Sequence, residues 1–445
     1  MDERVARLLG RAWHSERPWR VLTTLTELED RLGGHPGEQR AADVLADELE
    51  TLGVANVSQE SFAIPEWTRG ETSLLAHVHS RDRERTFEAR ALPYCPESTV
   101  EAPLVDVGYG TPEELDAKDV ADAVVVASSA TPPRADRFFH RMEKIGYAAE
   151  RGATGFILAN HCPGQLPPTG SLRVGDTLPA VGVSYETGEW LREYAAEGAA
   201  VRINVTASVE PGTSQNVCGR FGPETDDAVL LLAHYDAHDV AEGALDNGCG
   251  VAVLIGAVEI LAEMDLDREV RIALVGCEEL GLQGSETLAA SVDAAEIHAV
   301  VNLDGVGRDR TLKALTHGSD AVRTLATAVA ESVDHPLAVD ELPHPYSDHW
   351  PFLRQGVPAL QLHSRPADDD GGHWERGWTH TRADTRDKAD VRTVREHAML
   401  TTLIIRRLTG TEISRVDTDD LREELSDAEP SMRAAGVWPD DWDAV

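Results

Sequence analysis

A chain of 445 residues is too long for one ordinary core and is expected to fold as about two or three domains. Its 78 acidic residues against 41 basic ones leave a formal net charge of -37, and only four of the basic residues are lysine (Lys118, Lys144, Lys313, Lys388). Such a charge repels nucleic acid and anionic membranes, so neither is an expected partner.

The acids are spread along the whole chain rather than gathered in a tail. Dense carboxylate with scarce lysine is the balance of a protein from a high-salt environment, where salt screens the self-repulsion. The opening MDERVARLLGRAWHSERPW carries charges throughout and lacks the apolar centre of a signal peptide. The longest apolar run, 251–262, contains Glu259 and is too short to cross a bilayer. Five cysteines (Cys95, Cys162, Cys218, Cys249, Cys277) have no paired metal-site spacing and read as reduced, mostly buried thiols. The expected compartment is the cytoplasm.

Residues 18–53 read as two helices, the second with Ala41, Leu45 and Leu49 at four-residue steps and Gly53 as its stop. Strand-like segments follow to about residue 93, among them the alternating Leu75, His77 and His79, read as a polar strand face. From 95 to 208 the rhythm is that of a separate small domain. It has strands near 103–107, 123–127, 155–159, 178–184 and 201–207, helices near 137–151 and 189–196, and linkers rich in Pro and Gly. It contains no catalytic constellation.

After residue 216 the pattern becomes strand, loop, helix, repeated. Apolar strands fall at 228–233, 270–275, 299–303 and 359–362, and helices at about 248–264, 285–292, 319–333 and 390–408. That alternation predicts an α/β fold with a mostly parallel sheet between helical layers. The tail 412–445, with 11 acids and three arginines, reads as a solvated appendage that Trp438 and Trp442 could dock.

Open α/β sheets present ligands at the carboxyl ends of their strands. His234, the pair Glu278–Glu279 and Asp304 stand just beyond three such ends. With no lysine beside them, they repel one another unless cations sit between them. Asp236 is two residues from His234 on a strand-like segment, placed to orient the imidazole rather than to bind metal. His238 and Asp239 repeat the pattern in an expected loop and read as rim residues. Asp246, in GALDNGCG before a helix, suits either an N-cap or a carboxylate between two cations. Of the adjacent Glu278 and Glu279 in CEELGLQGSE, one can bind metal while the other activates water. A last imidazole must come from later in the chain; on spacing alone His344, His349, His363, His373 and His380 all compete.

HYD, GALDNGCG, EELGLQGSE, VNLDG (301–305), SDHWPFLRQGVPAL (347–360) and HTRADTRDKAD (380–390) occur in this order. Together they resemble the two-zinc aminopeptidases and glutamate carboxypeptidases that share a phosphorylase-like α/β/α peptidase fold. RLGGHPGEQRAADVLADELETLGV (31–54) is similar to that family's opening helices, and 95–208 to the protease-associated domain inserted in many members. The resemblance implies a zinc peptidase domain in two pieces, 1–94 and 209–411, interrupted by a β-rich protease-associated (PA) domain at 95–208 and followed by the acidic tail 412–445.

It further implies two divalent ions, expected to be zinc: one held by His234 and Asp304, the other by Glu279 and His380, with Asp246 bridging. Asp236 would orient His234, Glu278 would be the general base, and the Asp246–Asn247 peptide would be cis. Relatives place a Tyr shortly before the SDH stretch to stabilise the oxyanion. Here Tyr346 adjoins Ser347 and His344 lies nearer the usual spot, so the donor stays open between them. The implied activity is exopeptidase action on peptides, with an aminopeptidase expected. A glutamate carboxypeptidase or dipeptidase, using Arg308 or an Arg from the inserted domain for a free carboxylate, is the alternative. Glutaminyl cyclisation and a catalytically dead binding scaffold rank lower. Trp350, Trp374 and Trp378 either line an apolar pocket or simply pack.

Overall fold

The computed structural model describes residues 3–135, 137–173, 178–366 and 377–444. The chain divides into two compact units. The first comprises Met1–Ile64, Gly212–Asp369 and Asp384–Leu425, and the second Pro65–Pro211, Asp370–Ala383 and Ser426–Val445. His373 and Trp374 lie outside the described residues.

The first unit is built on β-branched and aliphatic runs; besides residues 55–64 of a strand off the main path of the sheet, its described residues form seven strands along that path. They are β1 (Ala200–Phe221, of which 212–221 belong here), β2 (Ala228–His234), β3 (Glu269–Val275), β4 (Ile297–Leu303), β5 (Thr311–Leu315), β6 (Leu337–Asp340) and β7 (Ala359–Arg365). Their order is β6-β5-β7-β4-β2-β3-β1. Pairs β2–β3, β2–β4, β4–β7 and β5–β6 are parallel, while β1–β3 and β5–β7 are antiparallel, so the sheet is mixed and mostly parallel. Along β2, Val229, Leu231 and Ala233 join one core cluster, and the intervening Leu230 and Leu232 are buried as well. Side chains alternate between faces, so a strand buried at every position has both faces covered. The apolar run 228–233, and 270–275 with Arg271 as its one interruption, carry the signature of that double cover.

Helices α1 (Arg17–Thr26), α2 (Pro36–Thr51), α3 (Cys249–Leu261), α4 (Gln283–Ser291), α5 (Asp320–Ser332) and α6 (Val391–Thr409) accompany the sheet. The stretch Ala244–Leu261 is long and apolar enough to cross a membrane by length and composition, but 89% of it is buried inside the fold. It is a core helix, packed against α1 and α6. From β2 the chain runs through α3 to β3 on one side, and β4 then returns to the other side of β2. The strand order reverses at β2, and the crevice outside its carboxyl end is where such sheets bind ligands.

In the second unit, strands Ser98–Asp106, Val124–Ser128, Gly155–Ala159 and Ala180–Val183 pair in parallel in that order, accompanied by helices Arg141–Glu150 and Tyr185–Ala196. The first of these helices starts later than the predicted 137, because the His140 ring Nδ1 accepts from Met142 N at 3.2 Å and caps the helix there.

Two expectations change. The C-terminal segment is not a solvated appendage: it forms helices Thr418–Glu424 and Glu429–Ala434. Leu421, Leu425, Met432, Trp438 and Trp442 are buried, and the two indoles meet edge to face at 5.0 Å. Its acids line the exposed faces and masked the apolar spacing. The strands Thr311–Leu315 and Leu337–Asp340 extend the sheet beyond the four that the sequence suggested.

Candidate metal centre

His234 is the last residue of β2, and Asp304 follows the last residue of the neighbouring β4. Asp246 lies in the turn Ala244–Gly248 ahead of α3, and its peptide bond to Asn247 is cis. His234 Nε2 stands 3.3 Å from Asp246 Oδ1 and 3.9 Å from Asp304 Oδ1. One donor atom from each of the three falls within 4.8 Å of the others. On its far side, His234 Nδ1 faces Asp236 Oδ1 at 3.3 Å. A proton on Nδ1 toward that carboxylate leaves the Nε2 lone pair directed at the cluster.

Each acidic member is held by a group that the motif letters did not reveal. Asp304 Oδ2 accepts from Ser347 Oγ at 2.7 Å, and Asn302 Nδ2 donates to that hydroxyl at 2.8 Å. The main-chain N–H groups of Leu245 and Asp246 donate to the two oxygens of Asp384 at 2.7 and 3.1 Å. Asn247 Nδ2 donates to the Leu303 carbonyl at 2.7 Å, tying the turn to the end of β4. Gly250 is required beneath it: a Cβ there would lie 2.1 Å from Asn247 Oδ1. Ser347 and Asp384 sit inside SDH and HTRADT, where polar residues next to the assigned positions were the available signal.

The loop after β3 brings the two glutamates to the same rim. Asp236 accepts from Glu278 N at 3.0 Å and from Glu279 N at 3.1 Å, so one carboxylate both faces His234 and sets the base of the loop. Burial pushes the Glu278 carboxyl well above the usual range. His234 pulls it down, and the neighbouring Glu279, Asp348 and Asp304 push it further up. Burial works to lower the His234 pKa, but Glu278, Asp236 and Asp246 together raise it well above that of free imidazole. Asp348 is fully buried, and burial raises it to about 7.

His238 is corrected. It is 4% exposed rather than a rim residue, and its Nε2 lies 2.8 Å from Glu279 Oε2. His380, in the second unit, is buried with φ +57. Its Nδ1 donates to the Thr169 carbonyl at 3.3 Å, and Thr169 N donates to the His380 carbonyl at 2.8 Å. That contact places the proton on Nδ1 and leaves Nε2 as an acceptor.

Two competing imidazoles are committed elsewhere. His349 is stacked on His317 at 4.2 Å and donates Nε2–H to the His344 carbonyl at 2.8 Å. His363 donates Nδ1–H to the Ser364 carbonyl at 2.6 Å, and its ring lies against Gly305, where a Cβ would meet Nε2 at 2.2 Å. His344 and Tyr346 are both half-buried and meet edge to face at 5.4 Å. Trp350 is fully buried and packs, whereas Trp378 is 44% exposed.

The donor set suits a divalent cation: imidazole nitrogen and carboxylate oxygen are zinc-type ligands, and an excess of buried carboxylate is stable only beside positive charge. Residues 216–405 match the model of peptidase family M28, and residues 100–191 that of the PA domain. Aminopeptidase YwaD of Bacillus subtilis is 27% identical over 360 residues, which cover 76% of this chain and 74% of that protein. Leucine aminopeptidase 2 of Trichophyton equinum is 27% identical over 354 residues, covering 74% and 68%. The solved aminopeptidase from Aneurinibacillus sp. strain AM-1 superposes with a TM-score of 0.68 at 25% identity, covering 92% of this chain and 97% of that one. An M28 peptidase precursor from Shewanella amazonensis SB2B shares the fold with a TM-score of 0.76 at 21% identity, covering 93% and 97%. With segments that match the M28 and PA models, the chain is a metallopeptidase that uses divalent metal and acts on peptides.

Proposed function

We propose that the chain is a two-metal aminopeptidase, with zinc as the expected metal, that releases N-terminal residues from peptides. The observation that carries this reading is the cluster of buried His234 with half-buried Asp246 and Asp304 at the switch point of the sheet, with Glu278 on the same rim. His234 and Asp304 would hold one ion, Glu279 and His380 the other, and Asp246 would face both. His238, against Glu279, adds a donor of the right type at the second position. Ions bound there supply Lewis acidity, which polarises a scissile carbonyl and acidifies water.

The chain's own residues do the rest. Asp236 keeps the His234 ring oriented and sets the main chain that carries Glu278. Glu278 takes the proton of the attacking water and hands it to the leaving amine. Burial pushes the pKa of that carboxyl up, and nearby positive charge favours the carboxylate that a base must be. The surrounding acids suit the ammonium of a free N-terminus. The lysine-poor acidic composition supports a high-salt cytoplasm as the setting.

An aminoacyl reporter with a free amine, assayed against its N-acetylated twin and a peptide ending in free glutamate, tests the reading. Hydrolysis of the first alone is expected. Equal rates on the first two, or cleavage of only the third, would reassign the chain to another peptidase class.

A further inference from the structure

The loop that follows β3 carries Glu278 and Glu279, and four consecutive main-chain N–H groups in it are held by side chains from elsewhere. Gly276 N donates to Asn216 Oδ1 at 3.2 Å, Cys277 N to Glu38 Oε1 at 3.0 Å, and Glu278 N and Glu279 N to the two oxygens of Asp236. Glu38 is separated from this loop by 239 positions and belongs to no motif of the site. It stands in the first turn of α2 and is 1% exposed. Its carboxylate also accepts from Ser214 Oγ at 2.6 Å and from Gly34 N at 2.7 Å. Donors from three separate segments thus converge on one buried carboxylate.

Local helix capping explains the contact with Gly34 but not the other two. Cys277 has φ +56, a left-handed conformation that a residue with a side chain holds only when its surroundings impose it. Its N–H is the one that Glu38 takes, immediately before the residue whose aim matters. The approach is close: a Cβ on Gly276 would lie 2.5 Å from Glu38 Oε1. Glu278 follows directly, and its N–H is held by Asp236, the same carboxylate that faces His234 Nδ1 at 3.3 Å.

We propose that Glu38 is a positioning residue for Glu278, holding the Cys277 N–H so that the left-handed turn aims the Glu278 carboxylate at the His234–Asp246–Asp304 cluster. The proposal rests on Glu278 being the general base. A base displaced by about 1 Å loses up to ~10²-fold in rate, so the effect belongs in kcat rather than in substrate binding.

The test uses the full-length, zinc-loaded chain and the variants E38A, E38Q, E38D and E278Q. It reads kcat, KM, zinc content by elemental analysis, and amide hydrogen exchange over 276–282. For E38A, kcat is expected to fall about ten- to a hundredfold, with KM and zinc content unchanged and faster exchange at 277–279. E38Q keeps an acceptor oxygen for Ser214 and Cys277 and is expected to recover most of kcat. E38A with wild-type kcat despite faster exchange, or E38A losing zinc together with kcat, overturns the proposal. If E38A does not fold, E38D and E38Q decide. E38D withdraws the carboxylate by one methylene and must lose kcat at full zinc content while E38Q retains it; the reverse order overturns the idea. E278Q separates the two readings. Wild-type turnover in E278Q removes Glu278 as the base, whereas an inert E278Q beside a fully active E38A removes only the role of Glu38.

Discussion

Ser347 donates its hydroxyl to Asp304 Oδ2 at 2.7 Å, which leaves Oδ1 of the same carboxylate facing His234 Nε2 at 3.9 Å. The hydroxyl selects which oxygen of Asp304 is offered to a cation. Groups that orient a ligand in this way typically contribute about 10–100-fold in metal affinity. Ser347→Ala is therefore expected to weaken zinc binding by about that factor, with activity recovered at excess zinc. A competition titration against a chelator measures it, and an unchanged dissociation constant would show that the contact is incidental.

Metal removal has a pH signature. Burial holds both Asp348 and Asp384 at about 7, against about 4 in an unfolded chain. Between those values the folded chain binds more protons at these sites than the unfolded one, so their contribution to stability is full below about pH 4 and is lost as pH rises through 7. Bound cations favour the ionised carboxylates and remove that dependence. The drop in melting temperature on chelation is thus expected to be larger at pH 8 than at pH 5.5. A drop that shrinks toward pH 8 would contradict this assignment of the buried protons.

The strand ends were legible because a strand buried on both faces is a largely apolar run, and His234, Glu278 and Asp304 stand just beyond three such runs, interrupted only by Arg271 in the second and Asn302 in the third. The residues that hold them were not. Glu38, Asp384 and Ser347 act on groups 239, 138 and 43 positions away, and no local spacing encodes such a contact. His238 was misjudged for a related reason. A polar residue in a loop is usually exposed, and only the fold reveals that this loop turns inward against Glu279. The C-terminal helices failed as a reading because acid density hid Leu421, Leu425 and Met432.

The net charge of -37 sets a salt requirement. Self-repulsion falls as the Debye length shrinks from ~10 Å at 0.1 M salt to ~3 Å at 1 M. The melting temperature is expected to climb with potassium chloride across that range and to plateau above it. A flat profile between roughly 0.1 M and 2 M salt would remove the high-salt reading while leaving the metal centre untouched.

Glu278 and Glu279 are adjacent and share Asp236 as the acceptor of their main-chain N–H groups, yet their side chains have different surroundings. Glu279 is 5% exposed, and its Oε2 lies 2.8 Å from His238, a ligand-type neighbour. Glu278 is less enclosed and electrostatically coupled to His234. Glu278→Gln preserves shape and hydrogen bonding but cannot accept a proton, so turnover should fall by about two to four orders of magnitude with metal content intact. Glu279→Gln removes a ligand charge, so metal at its position should be lost or loosened and part of the activity regained in excess zinc. His238→Ala should follow Glu279→Gln rather than Glu278→Gln, weakening metal retention by about 10–100-fold, because it acts through Glu279 or beside it. Metal content and turnover measured together distinguish the three. Loss of metal in Glu278→Gln with retention in Glu279→Gln would reverse the two roles. Full turnover in both would place the chemistry away from this rim.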